Sequence, residues 1–107
     1  MIPIGLSLET LIARLQQSGI GVYVTHKGDY HRGIVYLKIF YNRAECAVYQ
    51  ITSTTLAPQC VHDAPYIPES EADNLLNKNK SWDADCWCIE IEAVTEAQKQ
   101  AMLEILG

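Results

Sequence analysis

Positive charge is scarce in this chain: 8 Lys and Arg stand against 13 Asp and Glu, a net charge of −5 over 107 residues. Such a balance repels a phosphate backbone, so binding nucleic acid would need a local basic patch. One stretch gathers basic and aromatic residues: Tyr23, Lys27, Tyr30, His31, Arg32, Tyr36 and Lys38. It reads more simply as a solvated hairpin, and nucleic acid is not the expected partner. Long apolar runs are missing as well. The opening MIPIGLSLETLIARLQQSG has no basic leader and spaces its hydrophobics helically. It is therefore read as neither a signal peptide nor a membrane span, which gives a cytoplasmic address.

Catalytic signatures are equally thin. The chain has no GxSxG, no HExxH and no glycine-rich phosphate cradle. Its four cysteines, Cys46, Cys60, Cys86 and Cys88, include no Cys-x₂-Cys pair. Cys86-x-Cys88 on a strand would put both sulfurs on one face with Trp87 on the other, which suits neither a zinc knuckle nor a redox dithiol. Both cysteines are expected in the core, and all four are expected to be reduced. His26, His31 and His62, with Asp29 and Asp63, could form a transition-metal site only if the fold joined them; surface or turn positions are the plainer expectation.

What is present is a foldable alternation. Apolar residues make up 49% and charged residues 20% of the chain, as in an ordinary globular domain, here a single one over residues 1–107. Ser7 followed by Leu8, Leu11, Ile12 and Leu15, with Gly19 beyond, predicts a helix over about 7–18. Strands are expected at about 20–26, 33–41 and 45–51, joined as an antiparallel meander. Pro58, Pro65 and Pro68 make the next segment irregular, with room for a short edge strand around 59–62. A helix at 68–79, a strand at about 85–92 and a helix at 95–106 capped by Thr95 and Gln98 complete the chain. The fold class is α+β, in the order α-β-β-β-α-β-α, with the meander packed against helices. The expected core is Leu8, Leu11, Ile12, Leu15, Val22, Val24, Val35, Leu37, Ile39, Trp87, Ile89 and Ile91.

The stretch SWDADCWCIEIE holds four carboxylates, Asp83, Asp85, Glu90 and Glu92. Brought together with Asp29 they could bind Mg²⁺ or Mn²⁺. The simpler expectation is a strand with Trp87, Ile89 and Ile91 in the core and a solvated acidic face opposite. The order αβββαβ is shared with PD-(D/E)xK nucleases, but Glu45-Cys46-Ala47 has alanine where that motif needs lysine, and Lys38 falls on another strand.

Two segments together resemble a known family. RLQQSGIGVYVTHKGDYHRGIVYLKI carries Arg14, Gly19, Ile20, Val22, Val24, Lys27, Gly28, Asp29, Gly33, Val35, Leu37 and Lys38; the second segment carries Lys80, Asp83, Asp85, Trp87, Ile89, Glu90, Ile91 and Glu92. The pattern resembles domain-of-unknown-function family 1491, small proteins seen chiefly in alphaproteobacteria. Cys86 and Cys88 stand where that pattern has apolar residues, in line with core positions for both. The resemblance implies no activity or cofactor.

The sequence thus points to a non-enzymatic interaction or adaptor module that engages a protein partner or a second copy of itself. Two alternatives stand beside it. One is a divalent-metal enzyme acting on phosphate esters, with Asp29, Asp83, Asp85, Trp87, Glu90 and Glu92 as the functional cluster. The other is a small-ligand domain lined by Trp82, Trp87 and tyrosines.

Overall fold

The structure is a computed structural model that describes residues 2–52 and 57–107. Helix α1 spans Ile4–Gln17, strands β1, β2 and β3 span Gly21–His26, Val35–Asn42 and Glu45–Ile51, and β4 is the two-residue Gln59–Cys60. Helix α2 (Glu69–Trp82), strand β5 (Trp87–Glu92) and helix α3 (Glu96–Leu106) follow. The α+β class and the element order are as expected. Of the irregular segment, residues 53–56 lie outside the described residues. No helix among the described residues is long and apolar enough to cross a membrane.

The strand pairing differs from the expected meander. The five strands lie in the order β1-β5-β2-β3-β4. The first strand does not pair with the second; β5 lies between them, antiparallel to β1 and parallel to β2. The antiparallel meander is therefore β2-β3-β4, one strand further along. A parallel pair needs a long crossover, and the connection through α2 supplies it. As an interior strand, β5 is covered on both faces, which explains why Cys86, Trp87, Cys88 and Ile89 run together without a polar break.

The core accordingly has two halves. On one face α1, through Leu8 and Leu15, and α3, through Met102, cover Val22, Val35, Leu37, Ile39, Trp87, Ile89 and Ile91. On the other, α2 brings Ala72 and Leu76 onto Tyr36, Cys46, Val48, Cys86 and Cys88. The expected core is largely found. Leu11 and Ile12 are only partly buried, and Val24, towards the far end of the edge strand, is 47% exposed.

Helix starts show what local pattern misses. α1 begins at Ile4 behind Pro3, three residues before the expected Ser7 cap. Pro3 sets the entry angle, and the loop carbonyls of His31 and Tyr30 accept from the amides of Ile4 and Gly5 at 3.4 and 2.8 Å. At α3 the expected capping box forms: Thr95 accepts from the Gln98 amide at 3.1 Å and Gln98 accepts from the Thr95 amide at 3.0 Å.

Candidate functional site

The connection between β1 and β2, residues 27–34, folds over the start of β5. The Asp29 amide donates to the Asp85 carbonyl at 3.0 Å, and the Trp87 amide donates to the Ile34 carbonyl at 2.8 Å. The Trp87 indole donates to the Asp29 carbonyl at 2.8 Å. From β1, Thr25 Oγ1 donates to the Cys88 carbonyl at 3.1 Å, and His26 Nδ1 lies 2.7 Å from the Cys86 carbonyl. The two segments noted in the sequence are thus laced into one knot, and glycine is required where they touch. A Cβ on Gly28 would stand 2.7 Å from both the Cys86 carbonyl carbon and Trp87 Cδ1, and closer still to the Asp85 oxygen. Gly33, at φ 156°, passes the same carbonyl.

Above the knot, Asp29, Asp83 and Asp85 line an open cleft of about 480 Å³ together with Arg32 and Thr52. Two of these carboxylates are engaged by the backbone. Asp29 Oδ1 accepts from the amides of His31 and Arg32 at 2.8 and 3.1 Å, and Asp83 Oδ1 accepts from the Asp85 amide at 3.0 Å. The Arg32 and His31 amides hold the Asp29 carboxyl below its ordinary range. Trp87 lies beneath, buried.

Glu90 and Glu92 are not part of this cleft. Glu90 reaches the α2 side of the sheet, where its Oε1 lies 2.8 Å from Lys38 Nζ. Glu92 ends β5, in register between Gly21 and Phe40. The expected six-residue cluster therefore divides, and the solvated acidic face expected on β5 is instead packed under α2 through Cys86, Cys88 and Glu90. Among the described residues no group of three or more His, Cys, Asp and Glu is placed to hold a metal ion. His62 is held elsewhere, its Nε2 accepting from the Val48 amide at 3.0 Å and its Nδ1 lying 2.7 Å from the Ala64 carbonyl.

Sequence reasoning missed the role of Lys38. This residue is 5% exposed and sits mid-strand in β2. Its ammonium contacts Glu69 at 2.9 Å, Asp73 at 2.7 Å and Glu90 at 2.8 Å, one carboxylate for each proton. Burial alone would lower its pKa; the hydrogen bonds to Asp73, Glu90 and Glu69 outweigh that and hold it well above the ordinary lysine value. The available signal was a charged residue inside the apolar run GIVYLKIFY. The thiols move the same way: burial raises Cys46 and Cys86, and burial and then the neighbouring Cys86 push Cys88 up to about 12.

Comparison with known proteins now bears on this arrangement. The model of the family described as protein of unknown function (DUF1491) matches residues 3–102. The chain belongs to this family. No curated protein matches it. The crystal structure of a DUF1491 family protein from Caulobacter crescentus CB15 superposes with a TM-score of 0.71 at 23% identity, covering 86% of this chain and 88% of that one. The solution structure of protein Atu0922 from A. tumefaciens gives a TM-score of 0.65 at 18% identity, over 82% of each chain. These likenesses show that the DUF1491 fold is shared.

Proposed function

We propose that this DUF1491 chain is a non-catalytic, cytosolic protein-interaction module that associates with a second copy of itself along the free edge of β1. The carrying observation is the character of that edge. β1 ends the sheet, and among the described residues it pairs only with β5. Its six residues, Gly21–His26, include no Lys, Arg, Asp, Glu or Pro, the residues that usually blunt an edge. Tyr23 is 51% and Val24 47% exposed. Two antiparallel copies of this strand would set no like charges opposite each other, so a twofold pairing is self-complementary. The opposite edge, β4, has only two residues.

The acid–base pattern supports a binding role. A lysine or thiol that acts as base or nucleophile at neutral pH needs a lowered pKa. Here Lys38, Cys46, Cys86 and Cys88 all move up, so none of them is primed as a base or nucleophile. Four unpaired cysteines support a cytosolic setting.

Light scattering over a concentration series tests the reading. The expected result is a mass rising to that of two chains, with Val24→Lys returning a monomer of unchanged far-ultraviolet dichroism. A wild type that stays monomeric at every concentration would overturn it.

A further inference from the structure

A second surface lies on the α1/α3 side of the sheet. A cleft of about 390 Å³ opens between the two helices, and its walls are mainly aliphatic: Leu6 and Leu11 from α1, Ile105 and Leu106 from α3. Arg14 is the one charged residue lining it among the described residues. Arg14 forms no ion pair among the described residues. The positions one turn away on its own helix, Thr10, Leu11, Gln17 and Ser18, include no carboxylate. Ser7 and Thr10 also line the cleft, and the Thr10 hydroxyl donates to the Leu6 carbonyl at 3.3 Å. A concave, mostly apolar cleft with a few polar groups at one place is the usual form of a small-molecule site.

We infer that this cleft binds a single-chain aliphatic carboxylate, its tail along the α1/α3 groove and its head on Arg14. The charge argument selects the head: guanidinium matches carboxylate in a two-point hydrogen-bonded pair. The walls select the tail, because no aromatic ring lines the cleft to stack a planar ligand. Net charge selects a free monomer over an anionic membrane. At −5 the whole chain is repelled by such a surface, whereas one carboxylate within a Debye length of Arg14 feels mainly the local cation. This inference is independent of the β1 pairing.

Calorimetric titration with octanoate and decanoate below their micellar concentrations tests it. The expected result is one saturable site, tightening roughly fourfold for each methylene the cleft buries. Arg14→Gln is exposed and not expected to disturb folding, which the melting temperature checks. It should weaken decanoate at least tenfold and leave neutral decan-1-ol within twofold. Absence of saturable binding, equal decanoate affinity in Arg14→Gln, or binding only to phosphatidylglycerol vesicles would overturn the inference. So would self-association that Leu6→Arg abolishes and Val24→Lys does not, since the groove would then be a contact between copies.

Discussion

The Trp87 indole donates to the carbonyl of a residue 58 positions earlier in the chain, Asp29. Replacing it with phenylalanine keeps most of the ring in the core and leaves that carbonyl without its donor. Trp87→Phe is expected to cost about 1–3 kcal/mol in denaturant unfolding. Gly28→Ala should cost a similar amount, about 1–3 kcal/mol, because the new methyl meets backbone that cannot rotate away. An undiminished stability for both variants would show that the knot bears no load. The cysteines give a separate test. Cys46, Cys86 and Cys88 are buried and Cys60 is exposed, so a thiol reagent at mildly alkaline pH should titrate one group in the native protein and four after unfolding. Rapid labelling of more than one native thiol would contradict the burial of the other three.

At the scale of elements, Lys38 joins β2, β5 and α2 at one point. Lys38→Met fills much of the same volume but leaves Glu69, Asp73 and Glu90 facing each other without a cation. Breaking a buried pair costs about 3–5 kcal/mol; since the side chain of Asp73 is 51% exposed and can hydrate, about 2–3 kcal/mol is expected. Amide exchange should locate the loss in α2. Uniform loss across all helices would argue against a staple. The same element scale shows what the sequence could convey. Periodicity marked each helix and long strand because it depends on neighbours a few residues apart. It could not mark β5 as the partner of β1, since pairing across some sixty intervening residues leaves no local trace. The carboxylates divided for the same reason. Alternation correctly put Glu90 and Glu92 on one face, but which helix covers that face is decided by the crossover through α2. Lys38 was legible in principle, as a charge placed where both faces of a strand are buried.

For the whole molecule, alkaline stability follows from the buried acids and Lys38 together. Burial first, and then neighbouring Tyr49 and Tyr66, raise Tyr41 from 10.0 to about 12; Cys88 is raised from 9.0 to about 12. In the unfolded chain these groups return to their ordinary values. A group with a raised folded pKa stabilises fully below its unfolded value and loses that contribution as pH rises towards the folded one. The thiols Cys46, Cys86 and Cys88 therefore begin to weaken the fold above pH 9.0, Tyr41 above 10.0, and Lys38 above 10.5. From these groups the stability profile is flat below pH 9.0 and then falls by up to about 1.4 kcal/mol per pH unit for each proton released on unfolding. Cys88→Val isolates one thiol's share of the first step, because valine packs a similar volume and carries no proton. Urea unfolding of both proteins across pH is expected to show the variant losing less stability than the parent protein above 9.0, the rest of the decline coming from Cys46 and Cys86 and then from Tyr41. Coincident profiles for the two proteins would mean that Cys88 is not buried as a neutral thiol in solution.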